Sequence, residues 1–302
     1  MRILALFNRD SGTLRTMDAG AFLARARALF EAAGHQFTGQ LVSGEGLEAA
    51  LRAATRHKDI DIVLAGGGDG TISAAAAACF AAKKPLAVLP LGTMNLFARS
   101  LKMPLDPEKA LAALSKGSIE PVDIATVNGR PFLHQFSVGF HSRLVRIRNG
   151  YTYRSRWGKI AASVRAVVEA VNRPLRFAVD IRTAAGTEHR EAAAIAVSNN
   201  LLGEGFVPVA ETLDRGRLGV YVVAPMPPFD LARLVLRLAF GRWKTHPLVS
   251  IREVTSVTLD FPRRKARVHA VIDGELVPLE AHYALEIHAG GLRVLAPAAD
   301  QG

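Results

Sequence analysis

The chain has 302 residues, 49% hydrophobic and 22% charged, an ordinary globular composition long enough for two packed domains. Its longest uninterrupted apolar run, Ala74–Ala82, falls far short of the roughly 20 residues that span a bilayer. One cysteine, Cys79, excludes an internal disulfide framework and suits a reducing cytosol, while a net charge of +11 favours a polyanionic partner such as nucleic acid, anionic headgroups or nucleotide phosphates.

The opening MRILALFNRD carries one positive charge and a short apolar run before Asn8, which predicts a first strand and not a signal peptide. Phe22, Leu23, Ala26, Leu29, Phe30 and Ala33 recur at helical spacing over 17–33, with Gly34 as the terminating residue. A weak strand at 40–42 precedes a helix over Leu47–Arg56, and Ile60–Leu64 reads as a buried strand. A helix over 71–82, a strand over Pro85–Pro90 and helices near 94–101 and 107–115 follow. Strands separated by helices imply parallel βαβ units, whose ligands collect at the carboxyl ends of the strands. Beyond about residue 121 the rhythm changes. Val122–Val127, then Asn128-Gly129, then PFLHQFSVGF predict a hairpin with a type I′ turn. RFAVDIRT, EAAAIAVSN, LGVYVVAP, VTSVTLDF, ARVHAVIDGE and HYALEIHAG are further strands, interrupted by helices at 157–171 and 229–240. The fold expected is an α/β nucleotide domain over 1–121 with a mainly parallel sheet. A β-rich, mainly antiparallel second domain follows over 122–289, and 290–302 can pack back onto the first.

Three strand-to-helix turns concentrate glycine and polar residues on one edge of the first sheet. Gly66-Gly-Gly-Asp-Gly-Thr71 opens the helix at 71–82. Glycine lets the backbone approach a bulky anion, and a helix N-terminus supplies unpaired N–H groups. Asp69 in such a loop is explained by Mg²⁺ bridging carboxylate and phosphate; the simpler reading is a tight turn with Thr71 as the helix cap. Leu89–Arg99 repeats the pattern with Gly92, Thr93 and Asn95, and Asn8-Arg-Asp-Ser-Gly12 supplies the third turn. Together they point to a nucleotide site.

These blocks resemble the diacylglycerol kinase catalytic-domain family, which includes bacterial soluble lipid kinases and sphingosine kinases. GGDGT at Gly67–Thr71, PLGTMNLFARSL at 90–101 and the Asn8–Gly12 turn carry the resemblance. So do Val122-Asp-Ile124, Phe136–Phe140, the segment 197–210 and Ile272-Asp-Gly-Glu275, so that it extends over nearly the whole chain. The resemblance implies a phosphofructokinase-like nucleotide domain, a cleft between the domains, and Mg²⁺-assisted transfer of the γ-phosphoryl group of ATP to a lipid hydroxyl. By similarity, Asn8, Ser11, Gly12, Gly67, Gly68, Asp69, Gly70, Thr71, Gly92, Thr93 and Asn95 would hold ATP, with Ser43 replacing a threonine found in relatives. Asp273 is the preferred catalytic base and Glu275 its helper or alternative, beside Asp69; Asp69, Asp123 and Asp214 are the metal candidates.

The chain departs from the family pattern at two places. Leu96 stands where many relatives have aspartate. Arg215 and Gly219 replace acidic residues of a structural Mg²⁺ site, which suggests that the Arg215 guanidinium stands in for the ion beside Asp214 or Asp123. An NAD kinase-like enzyme is the nearest rival, but the Asn199-Asn200 pair lacks the Asn-Glu that family requires. A catalytically silent nucleotide- or lipid-binding relative is the other. For membrane contact, Arg143, Arg146, Arg148, Arg154, Arg156, Lys159 and Arg165 cluster with Tyr151, Tyr153 and Trp157. The helix at 229–240 reads as core-facing, with its tail Gly241-Arg-Trp-Lys244 the better interfacial candidate. The expectation is a cytoplasmic protein peripherally bound to anionic membranes, acting on a lipid substrate, with no nucleic-acid partner and homodimer formation left open.

Overall fold

The computed structural model describes residues 1–139, 176–205, 207–262 and 268–297. The helix expected at 157–171, the basic and aromatic cluster over 143–165 and His141 lie outside the described residues.

The first half forms four parallel strands in the order β2-β1-β3-β4, with β1 Arg2–Asn8, β2 Gln36–Val42, β3 Ile62–Gly67 and β4 Leu86–Pro90. The helices between and after them are α1 Ala19–Ala32, α2 Leu47–Arg56, α3 Asp69–Ala82, α4 Leu96–Ser100 and α5 Pro107–Ser115. β3 and β4 are buried at every residue, which is why they read as continuous hydrophobic runs and not as alternation. α1 begins where the Asp18 carboxylate accepts the amides of Gly20 and Ala21, and it buries Phe22, Ala26 and Phe30 against the sheet. Phe22 meets Phe7 edge to face at 5.8 Å. Cys79 is buried on α3, and burial pushes its thiol up to about 12, so it acts as a small hydrophobe.

At the glycine loop two boundaries differ from expectation. β3 runs on through Gly66 and Gly67, and α3 starts at Asp69, two residues early. Gly68, extended at φ −84° and ψ −178°, is the capping position, so Thr71 lies inside the first turn and does not cap it.

The second half is built from β5 Ser118–Val127, β6 Arg130–Phe132, β7 Gln135–Gly139, β8 Phe177–Thr183, β9 Gly186–Ala192, β10 Ala194–Asn199 and β11 Leu218–Val223. Then come α6 Pro228–Ala239, β12 Val249–Val254, β13 Ser256–Asp260, β14 His269–Ile272, β15 Glu275–Pro278 and β16 His282–Ala296. The second sheet, β12-β11-β10-β7-β14-β15, is antiparallel throughout. Asn128 and Gly129, at φ 48° and 79°, form the expected turn between β5 and β6. The following apolar run is not one hairpin arm, however. It breaks at Leu133-His134, and β7 crosses into the second sheet. EAAAIAVSN likewise divides at Ala193 between β9 in the first sheet and β10 in the second, and VTSVTLDF divides at Thr255.

β16 joins the parallel and antiparallel parts. Its last residues, Val294 and Leu295, pair in parallel with β4, while His282–Glu286 pair antiparallel with β13 and β5 runs along its other edge. A register shift between His288 and Leu292, with Gly290 at φ 60°, bends the strand between its two roles. Two hydrophobic cores result, and β5 feeds both: Val122 and Ile124 enter the first, Ala125 and Val127 the second. Trp243, expected at a membrane interface, is instead buried with Tyr221, ring centres 5.3 Å apart.

Candidate active site at the carboxyl edge of the parallel sheet

The three glycine-bearing turns meet at the carboxyl ends of β1, β3 and β4, and hydrogen bonds tie them together. Asn8, ending β1, donates from Nδ2 to the Thr71 hydroxyl in α3 at 3.0 Å, while its Oδ1 accepts the Asp10 amide. The Thr13 amide reaches the Leu91 carbonyl after β4. Asp10 accepts the Gly44 amide, which brings the Ser43 turn after β2 to the same rim; the Ser43 hydroxyl itself accepts the Gly46 amide. Asn95, left-handed at φ 52°, clamps Gly92 by accepting its amide and donating to its carbonyl, both at 2.9 Å. Thr93 is exposed beside it.

The glycines divide into two kinds. A Cβ on Gly66 would lie 2.4 Å from Phe7, on Gly67 2.5 Å from Thr71, and on Gly92 2.5 Å from the Gly68 Cα, so these are required by packing within the protein. Gly12 and Gly70 are different. Both are exposed, neither has positive φ, and a Cβ on either would touch no protein atom within 4 Å. The open space beside them is what a ligand lying on the rim needs. The Ser11 hydroxyl, buried at this turn without a hydrogen-bond partner, adds an unsatisfied polar group. α3 also begins without a side-chain cap, leaving its first amides available to an anion.

Asp69 has a structural task the sequence did not suggest. Its carboxylate accepts the amides of Asn95 at 3.1 Å and Leu96 at 2.6 Å, capping α4 and joining the two glycine turns. Leu96, where relatives have aspartate, thus contributes its backbone. One helical turn after Asp69, Ser73 donates its hydroxyl to Asp273 at 2.7 Å, across 200 residues of chain. Asp273 sits at φ 46° in the Asp273-Gly274 turn between β14 and β15, and its carboxylate also accepts the amides of Leu133, His134 and Gln135. The break between β6 and β7 is therefore shaped around this carboxylate. The i to i+4 spacing of Asp69 and Ser73 was a readable signal that the sequence reading missed. Burial holds the His134 imidazole below its usual value, against the opposing pull of Asp273 and Asp69, so it is neutral at neutral pH beside both acids. Glu275, at the start of β15, is exposed and pairs with Arg130 at the start of β6, leaving Asp273 as the acid that reaches the glycine-loop helix.

The remaining metal candidates do not join Asp69 through any shared partner. Asp123 is buried on β5 and accepts the amides of Gly216 at 2.6 Å and Gly290 at 2.9 Å, fastening the 213–216 turn to the bend in β16. Asp214 is exposed on that turn. The expected Arg215 stand-in is corrected. Its side chain is exposed and makes no ion pair among the described residues; only its amide is engaged, with Asn200. The backbone amides of Gly216 and Gly290 do what the guanidinium was expected to do. Asp123→Ala should therefore leave two donors unsatisfied and lower unfolding stability by about 2 kcal/mol, read as a lower urea midpoint at unchanged slope.

The donor set fits a nucleotide triphosphate: uncapped helix amides, an orphaned hydroxyl and two glycines facing open space. For Mg²⁺, no group of three acidic, histidine or cysteine side chains converges among the described residues. An ion held by one carboxylate and phosphate oxygens needs no such group, and of the candidate acids Asp69 is the one in the first turn of α3.

Two family models account for nearly all of the chain. The diacylglycerol kinase catalytic domain matches residues 2–127, and the YegS C-terminal NAD kinase beta sandwich-like domain matches residues 135–296. The chain belongs to the YegS-like diacylglycerol kinase family. A Pseudomonas aeruginosa (strain UCBPP-PA14) protein named "Probable lipid kinase YegS-like" is 44% identical over 84 residues, 27% of this chain and 28% of that one. A Yersinia pestis (strain Pestoides F) protein of the same name is 38% identical over 120 residues, 34% and 40% of the two chains. The matched stretches thus span less than half the length of these YegS-like relatives. A crystal structure of a diacylglycerol kinase from Bacillus anthracis str. Sterne superposes with a TM-score of 0.73 at 20% identity, covering 98% of this chain and 97% of that one. The YegS-like fold is therefore shared along its length. No described helix is long and apolar enough to cross a membrane.

Proposed function

We propose that the chain is an ATP-dependent lipid kinase that transfers the γ-phosphoryl group to a lipid hydroxyl. The observation that carries this reading is the hydrogen bond from Ser73 to Asp273, which sets an acid of the antiparallel half one helical turn from the glycine loop. In this reading Gly12 and Gly70 leave room for the phosphates, the first amides of α3 and the Ser11 hydroxyl bind them, and Asn8 holds Thr71 in place. A Mg²⁺ at Asp69 would neutralise charge on the transferring oxygens. Three backbone amides fix the Asp273 carboxylate, and its fourth donor is a side-chain hydroxyl. A lipid hydroxyl taking the place of Ser73 would make the same hydrogen bond, and Asp273 would accept its proton as the new phosphate ester forms. The broken β6–β7 turn puts the neutral His134 beside this position, where it adds no competing positive charge.

The name carried by the YegS-like relatives and the open, glycine-rich rim support the same reading. The test is phosphorylation from labelled ATP across diacylglycerol, monoacylglycerol, phosphatidylglycerol, ceramide and sphingoid bases in detergent micelles. Label is expected in one acceptor class, dependent on Mg²⁺. Label in NAD, or in no acceptor, would overturn it.

A further inference from the structure

Helix α6 carries an apolar face that no part of the described chain covers. Phe229, Leu236 and Phe240 are 71%, 58% and 79% exposed. Arg233 is exposed among them, its guanidinium 5.9 Å from the centre of the Phe229 ring. At about 100° per residue, positions 229, 233, 236 and 240 fall within an arc of roughly 60°, so they form one stripe. The other side of the helix is anchored: Leu234 packs on the cluster of Leu202, Tyr221 and Trp243. Gly241, at φ 69°, ends the helix against Gly205, where a Cβ would lie 2.8 Å from the Gly205 Cα. The stripe is thus held outward by packing behind it.

Charge decides the occupant. Residues 228–244 contain Arg233, Arg237, Arg242 and Lys244 against a single carboxylate, Asp230. Lys244 is 3.9 Å from Glu211, and the three arginines form no ion pair with a described acid. A second copy docking about a twofold axis would set these cations against their own images. An anionic bilayer accepts both parts, with aromatic and leucine side chains entering the boundary of headgroup and acyl chain and arginines meeting phosphate.

We propose that α6 is a membrane-docking helix, whose Phe229, Leu236 and Phe240 insert into an anionic lipid surface while Arg233 and Arg237 contact its headgroups. This rests on the reading that the acceptor is a lipid, since docking then brings the site to its substrate.

The experiment measures sedimentation of the full chain with vesicles of phosphatidylcholine containing phosphatidylglycerol. The Phe229→Ser/Phe240→Ser variant is expected to lose at least about tenfold in partitioning. Arg233→Gln/Arg237→Gln should weaken binding and flatten its salt dependence. Phe240→Trp gives a positive readout: its emission should be quenched by brominated acyl chains. Unchanged binding of the serine variant would overturn the proposal, because the basic segment around Arg143–Lys159 would then carry the interaction alone. So would a wild-type dimer that the serine variant converts to monomer without affecting vesicle binding. Should the serine variant melt early, the arginine and tryptophan variants decide. Phosphorylation in detergent micelles separates the two readings: kinase activity that survives in the serine variant while vesicle binding falls supports docking, and absence of activity in the wild type concerns the kinase reading alone.

Discussion

Asp273→Asn is expected to lower lipid phosphorylation by roughly 10²–10⁴-fold, the range that a positioned proton acceptor contributes. The substitution suits the backbone. Asp273 sits at φ 46°, and asparagine tolerates the left-handed region better than other residues. It does not suit the donors. One carboxylate oxygen accepts the amides of His134 and Gln135, the other the Leu133 amide and the Ser73 hydroxyl. An asparagine can satisfy the first pair, but its NH₂ then faces the Leu133 amide, at a cost of about 1–3 kcal/mol in stability. Steady-state rates measured alongside a melting curve separate the two effects. Ser73→Ala removes a donor and keeps the acid, so it should stay within about tenfold of wild type. Glu275→Gln, exposed and paired with Arg130, should change the rate less still. A folded Asp273→Asn protein with wild-type turnover would remove Asp273 from the chemistry.

The second large effect separates packing glycines from ligand glycines. In Gly92→Ala the new Cβ would lie 2.5 Å from the Gly68 Cα, backbone against backbone, where neither side can rotate away. The expected loss is about 1–3 kcal/mol of stability, and the two turns part. Gly70→Ala meets no atom and sits in the first turn of a helix. Its stability should hold or rise by up to about 1 kcal/mol. Its affinity for adenine nucleotide should nevertheless fall roughly tenfold, the 1.4 kcal/mol that one displaced contact represents. Calorimetric titration with a non-hydrolysable ATP analogue, next to a urea titration, checks both. Undiminished nucleotide affinity in Gly70→Ala would move the phosphates off this rim.

Much of this was legible in the chain because the local rules agreed. Continuous apolar runs at 62–65 and 86–89 mark strands covered on both faces, and Asn128-Gly129 can form a type I′ turn without strain. The turns at Asn8, Gly66 and Gly92 were visible as polar glycine clusters at strand ends. What was not legible was which groups the turns serve. The three glycines of the first loop suggested a cradle, yet Gly66 answers to Phe7 on the neighbouring strand and Gly67 to Thr71 in the helix turn just after it. The structural task of Asp69 did not show because its amide partners, Asn95 and Leu96, lie 26 and 27 residues away. The strand breaks at Leu133 and Ala193 failed to show because apolar patterning continues across them while the chain changes sheets. On α6 Leu234 packs inward on the face read as core-facing, but the exposed stripe of Phe229, Leu236 and Phe240 on the other side did not show, since hydrophobicity alone does not say which side of a helix has a partner.

The bent strand β16 has a consequence for how the molecule comes into being. β4 is flanked on one side by β3 and on the other by Val294 and Leu295. As the polypeptide leaves the ribosome, β1 to β4 emerge before β16, so β4 keeps a bare edge until Val294 and Leu295, more than two hundred residues beyond Leu86, have been synthesised. Completion of the first sheet therefore waits on translation of β16, so a nascent chain stalled before it would hold every glycine turn and still lack the strand that flanks β4 beneath them.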